Sequence, residues 1–169
     1  TKQVEFVDVS VREPGTTHML LRNVNVTIPA GRQVALAGDR EDEKLAFVSL
    51  LPRFFDPSAG EVKIDGRNLK WVTNDSLRAQ IGMVVQEHLV FNDTIKNNIG
   101  CGDSGFSLPQ IVEAAKLSHA HQFILRLPHG YETVVGELGH ELTPVERFQI
   151  GLARALLRDP AILVIQEPR

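Results

Sequence analysis

Cysteine is almost missing from this chain: Cys101 stands alone among 169 residues. One thiol excludes an internal disulfide and leaves no cysteine-based zinc site complete. That fits a reducing cytoplasm. Long apolar runs are missing too. No stretch approaches the roughly 20 residues that a helix needs to cross a bilayer. No signal peptide is read at the start, where residues 1–8 are charged and alternating. A membrane link is therefore expected through a partner, or through chain outside these residues. A large excess of one charge is also absent. Eighteen Lys and Arg stand against 21 Asp and Glu, a net charge of −3. This is too mild to point to nucleic acid or a membrane surface, and it counts slightly against the former. Repeats and low-complexity segments are not found.

What is present is ordinary globular material. Apolar residues make up 43% and charged residues 23%, enough for one domain with a real core. Val4, Phe6 and the residues after them alternate as in a half-buried strand. Residues 14–17 predict a turn and residues 19–28 a second strand. The apolar run 34–37 predicts a strand covered on both faces, ended by Gly38. After a charged loop, residues 45–51 predict a buried helix. Residues 61–64 predict a strand closed by an Asp65-Gly66 turn. Residues 75–80 predict a short polar helix and 81–85 a buried strand.

Residues 106–126 carry helical spacing, with Pro109 in the first turn. Thr143 predicts a helix cap, with Pro144 first in the helix and Glu146 completing a capping box. That helix is expected to reach Leu157, where Asp159-Pro160 breaks it, and residues 161–165 predict a last buried strand. Strands alternating with helices predict an α/β fold with a largely parallel core. Met19, Met83 and Trp71 are expected as core or half-buried packing residues. Arg147, Arg154 and Arg158, at spacings of seven and four, predict a solvated or salt-bridged helix face. The six histidines, His18, His88, His119, His121, His129 and His140, offer no convincing metal triad and are expected mostly at the surface or on helices.

Several motifs in order resemble one family. "VALAGDREDEKLAF" (residues 34–47) stands where ATP-binding cassette (ABC) ATPases carry their phosphate loop. "LPRFFDPSAGEVKIDGRNL" (51–69) is similar to the segment that follows it. "LRAQIGMVVQEHLVFNDTIKNNI" (77–99) resembles the stretch around the Q-loop, with Gln86 in the glutamine's place. "TVVGELG" (133–139) resembles the loop before the exporter signature motif. "LTPVERFQIGLARALLRDPAILVIQEP" (142–168) is similar to the signature motif, its helix and the Walker B strand. The resemblance covers nearly the whole chain.

It implies a P-loop NTPase-like ABC ATPase core with an antiparallel β-subdomain and an inserted helical subdomain, truncated at its C-terminal end. Core and β-subdomain are expected over 1–86 and 158–169, and the helical region over 87–157. By family position Gly38, Lys44 and Gln86 bind the nucleotide, and Glu167 is the general base that polarises the attacking water. The resemblance also implies ATP and Mg as cofactors. As partners it implies the transmembrane domain of an exporter and a second nucleotide-binding domain, at the cytoplasmic face of a membrane.

The sequence departs from the family where chemistry is concentrated. The phosphate loop is glycine, four residues, glycine, lysine, then serine or threonine. Here Glu43 stands at the second glycine, Glu41 at an inner one and Leu45 at the hydroxyl that binds magnesium. Glycines let backbone N–H groups turn toward phosphates, and a side chain forced to positive φ costs about 1–2 kcal/mol. Asp39, Glu41, Asp42 and Glu43 oppose Arg40 and Lys44. Two like charges ~6 Å apart repel by roughly 3 kcal/mol at an effective dielectric of ~20. One of these carboxylates is expected to take the phosphate's place and pair with Lys44.

Gln166 replaces the Walker B aspartate, Pro144 and Val145 replace the signature glycines, and Glu13 stands where an aromatic ring stacks on adenine. No tightly bound ATP or magnesium and no metal site are therefore expected. Three functions stay open: a degenerate domain kept for assembly or regulation of a transport complex, an active ATP-hydrolysing subunit, and a protein-interaction module on the same fold.

Overall fold

The computed structural model describes residues 2–84 and 90–166. The chain divides into two compact units, Thr1–Ile81 and Gly82–Arg169.

The first unit is built on β1 (Val4–Arg12), β2 (Met19–Ile28), β3 (Ala59–Ile64) and β4 (Arg67–Asn68), in the order β2-β1-β3-β4. Helices α1 (Glu41–Ser49) and α2 (Asn74–Arg78) and a 3-10 turn (Leu69–Trp71) complete it. All three ladders are antiparallel. This is the antiparallel β-subdomain that the resemblance implies. The largely parallel core expected from strand–helix alternation is not what this sheet shows. The turn between β1 and β2 and the Asp65-Gly66 turn between β3 and β4 are too short for the crossover that parallel pairing needs.

Strand β1 owes its inward face to one irregularity. Val4 and Phe6 are buried from even positions, Val9 and Val11 from odd ones. A bulge between Phe6 and Val9 inserts one residue, with Asp8 at φ 49, and so restores the phase that period-two alternation would lose. Asn25 holds the bulge: its Oδ1 accepts from the Asp8 N–H at 2.9 Å and its Nδ2 donates to Asp8 Oδ1 at 2.8 Å. Gly60, at φ +79, lies so close that a Cβ would sit 2.3 Å from the Asp8 carbonyl oxygen. Phe6 stacks on Phe47 of α1 with centroids 4.2 Å apart. Burying a ring like Phe6 contributes roughly 2–3 kcal/mol.

The second unit contains α3 (Ile95–Gly100), α4 (Leu108–Leu117), α5 (His121–Ile124) and α6 (Pro144–Leu157). Two short sheets pair β5 (Ile81–Val84) with β8 (Ile162–Ile165), and β6 (Asp93–Thr94) with β7 (Val134–Val135). Its core joins Ile95, Ile99, Ile111, Phe123, Ile124 and Ile150. The helical spacing over 106–126 resolves into two helices. Past α4, His119 adopts φ 60, and the Ala120 N–H reaches the Ala115 carbonyl at 2.8 Å, a Schellman-type stop. The cap on α6 is as expected from sequence: the Glu146 N–H donates to Thr143 Oγ1, and Glu146 Oε2 accepts from the Thr143 N–H at 2.8 Å. Asn98 is fully buried yet satisfied. Its Oδ1 accepts from the Phe91 N–H at 2.8 Å, and its Nδ2 donates to the carbonyls of Phe91, Asp93 and Thr94. Among the described residues no helix is long and apolar enough to cross a membrane.

Candidate functional site

The run 34–37, expected as a doubly covered strand ended by Gly38, carries no strand or helix, nor do the residues around it from 32 to 38. Val34 is 60% exposed and Leu36 44%. An apolar run becomes a strand only where neighbours complete its ladder, and no described strand pairs with this one. Gly38 is not at positive φ, and nothing lies within 4 Å of the Cβ it lacks. The conformational reason for a glycine is therefore not expressed here.

Helix α1 begins earlier than its apolar residues suggest. It starts at Glu41, so Glu41, Asp42 and Glu43 form its first turn rather than a loop. Carboxylates there are favoured by the exposed N–H groups and the helix dipole. The Glu43 N–H donates to Asp42 Oδ1 at 3.0 Å. Leu45, expected inside, is 52% exposed, and the buried positions are Ala46 and Ser49.

Both cations of the segment are engaged. Lys44 Nζ lies 2.8 Å from Glu41 Oε1. Arg40 donates through Nε to Asp42 Oδ1 at 3.1 Å and stands 3.3 Å from Glu43 Oε1. The Arg40 guanidinium holds the Asp42 carboxyl below its usual range. The expectation that a carboxylate pairs with Lys44 is met in this geometry. Each pair is half exposed, and such pairs are worth only about 0–1 kcal/mol. Three carboxylates, Glu41, Asp42 and Glu43, thus sit on the first turn of α1 beside these two cations.

Gln86 and Glu167 lie outside the described residues. Gln166 follows β8, its N–H donating to the Val84 carbonyl at 2.8 Å. Glu13 is exposed and accepts from Thr16 Oγ1 at 3.2 Å. Pro144 and Val145 form the first turn of α6, with Val145 62% exposed.

One packing expectation is corrected. Trp71 is 81% exposed rather than buried. The 3-10 turn spends its inward position on Leu69, so the indole points outward. Arg147 and Arg158, on α6 and at its end, are exposed, in keeping with the solvated face expected. Arg147 and Arg154 donate to the carbonyls of Leu142 and Asn98 at 3.1 and 2.8 Å. Arg154 lies over Phe91 and Arg158 over Phe106. Burial pushes the Arg154 guanidinium below its ordinary value.

Sequence reading also missed the part played by Arg40. Its signal was present in the spacing to Glu43, which places the two side chains on one face once residue 41 opens a helix. Another histidine contact was not legible: His121 Nδ1 and the Tyr131 hydroxyl are 2.8 Å apart.

This mixed α/β chain, with its antiparallel sheet and helical unit, is consistent with the class of ABC ATPase domains. More specifically, the chain belongs to the ABC transporter family, whose profile matches residues 21–169. It is 45% identical over 167 residues to an ATP-dependent lipid A-core flippase of Syntrophus aciditrophicus. It is 46% identical over 165 residues to an uncharacterized ABC transporter ATP-binding protein, y4gM, of Sinorhizobium fredii. It is 40% identical over 165 residues to ABC transporter B family member 2 of Dictyostelium discoideum. These matches cover 99%, 98% and 97% of this chain. The chain spans 28% of the length of the first two relatives and 12% of the third.

Proposed function

We propose that this chain is a nucleotide-binding-domain homologue of an exporter-type ABC transporter that binds ATP weakly or not at all. Its role is in the assembly or regulation of a transport complex. It works beside membrane-spanning segments and a second nucleotide-binding domain, at the cytoplasmic face of a membrane, with the region 87–157 as its helical part. The observation that carries this reading is the Lys44–Glu41 ion pair, 2.8 Å long, beside Arg40 held by Asp42 and Glu43. A triphosphate would have to displace those carboxylates and then lie against them. Leu45 offers no oxygen to magnesium, and Gln166 offers a neutral amide where the family uses a carboxylate. These residues do not fit a magnesium triphosphate.

Calorimetric titration of the chain with Mg-ATP tests the proposal. No saturable heat is expected at micromolar nucleotide, and binding with a micromolar Kd would overturn it. The second reading, an active ATP-hydrolysing subunit, draws support from Gly38, Lys44, Gln86 and Glu167, which stand at the family's own positions. Micromolar binding together with phosphate release that Glu167→Gln abolishes would favour it. An interaction module outside transport is favoured if the full-length protein carries no membrane-spanning segment.

A further inference from the structure

Trp71 is the chain's one tryptophan, and nothing in the proposed function uses it. It sits on a turn held from several sides. Leu69 anchors the turn in the core at 3% exposure. Asn68 Oδ1 caps it by accepting from the Lys70 N–H at 2.9 Å. Arg53 lies beneath it, with Nη1 between 3.2 and 3.4 Å from the carbonyls of Leu69, Lys70 and Val72. Arg53 is itself fixed by Asp56 at 2.7 Å. The indole is thus 81% exposed on a rigid support.

Around it runs an open cleft of about 330 Å³, lined by Arg67, Asn68, Trp71, Val72, Thr73 and Ser76. Its polar groups are largely uncommitted. Among the described residues, the Arg67 guanidinium and the Thr73 and Ser76 hydroxyls have no hydrogen-bond or ion-pair partner. Thr73 heads α2 without capping it. Lys70 Nζ lies 5.6 Å from the indole centroid. The carboxylates of the stretch are spent elsewhere: Glu61 on Lys63 and Asn68, Asp65 on Lys2, Asp56 on Arg53. Against Arg67 and Lys70 stands Asp75, with Asp56 also acting on Lys70, which leaves a modest surplus of positive charge on a chain that is negative overall.

We propose that this cleft docks an acidic segment of a partner protein, which lays an apolar side chain on Trp71 and a carboxylate against Arg67. A Trp on a braced turn and an uncommitted Arg are of the residue types that dominate interface energetics. The surplus positive charge selects an acidic partner. A small molecule is disfavoured, because small-ligand sites bury most of their ligand and this indole lies in the open. The inference stands on the first unit alone and is independent of whether ATP binds.

The single tryptophan is its own reporter. The 169-residue chain is titrated with three probes while Trp71 emission is followed. These are a capped helical peptide of leucine and glutamate, the same peptide with lysine for glutamate, and 2-naphthoate. A saturable blue shift is expected with the leucine–glutamate peptide alone. Arg67→Glu is expected to weaken it by roughly tenfold or more with the far-UV circular dichroism unchanged. Lys70→Glu repeats the measurement should Arg67→Glu disturb folding. No saturable shift, an equal response to the lysine peptide, or equal affinity for 2-naphthoate overturns the proposal.

Discussion

Lys44 follows Glu41 by one helical turn, and its Nζ lies 2.8 Å from Glu41 Oε1. The lysine expected to grip a phosphate is thus engaged by a carboxylate of its own helix. The pair itself is weak, since half-exposed pairs of this kind contribute about 0–1 kcal/mol; the proposed function gives it weight through its charge.

On the proposed function, removing the acids is expected to change binding more than stability. Glu41→Gln alone is expected to shift the unfolding free energy by no more than about 0.5 kcal/mol, read from urea unfolding. The triple change Glu41→Gly, Glu43→Gly, Leu45→Ser restores two glycines and a hydroxyl. It is expected to raise the affinity for Mg-ATP by roughly tenfold or more, read by calorimetry. Equal affinity before and after would show that the acids are not the obstacle.

Gly60→Ala tests the bulge in β1. A methyl group would stand 2.3 Å from the Asp8 carbonyl oxygen, on a residue at φ +79. The expected loss is at least about 2 kcal/mol, from positive φ and the clash together. An unchanged urea midpoint would mean that the strand relaxes without cost.

Asn98→Leu leaves the Phe91 N–H and three carbonyls without the amide that satisfies them. Orphaned buried groups cost about 1–3 kcal/mol each when water cannot reach them. A loss of about 3 kcal/mol or more is expected by thermal or urea unfolding, well above that of Asn97→Ala on the same helix.

Acid should weaken the first unit through named carboxylates. The Arg40, Arg53 and Lys2 side chains hold Asp42, Asp56 and Asp65 below the usual value of 3.8. Carboxyls depressed by folding stabilise above their unfolded pKa and lose that contribution as pH falls through their folded pKa. The urea midpoint should therefore fall as pH drops from about 6 to about 3. Arg53→Met should reduce that fall by removing the Asp56 share. An equal fall in the variant would place the acid sensitivity elsewhere.

Much of the fold is legible in the sequence because the relevant signals are local. Thr143, Pro144 and Glu146 announce the start of α6 by caps that need only neighbouring residues. Asp65-Gly66 announces the β3–β4 turn, where both residues adopt positive φ. The run 34–37 misled for the opposite reason. Its composition suits a buried strand, but a strand also needs partners, which composition does not specify. The bulge at Asp8 was hidden because it exists only in the register between β1 and its neighbours.

By itself the sequence determined the family, the caps, the turns and the acids at the phosphate-loop positions. These depend on residue identity and spacing along one stretch of chain. Only the tertiary structure decided which carboxylate takes Lys44, where α1 begins, and that Trp71 faces outward above Arg53. Ion pairs and exposure depend on directions in space, and those follow from how distant segments pack.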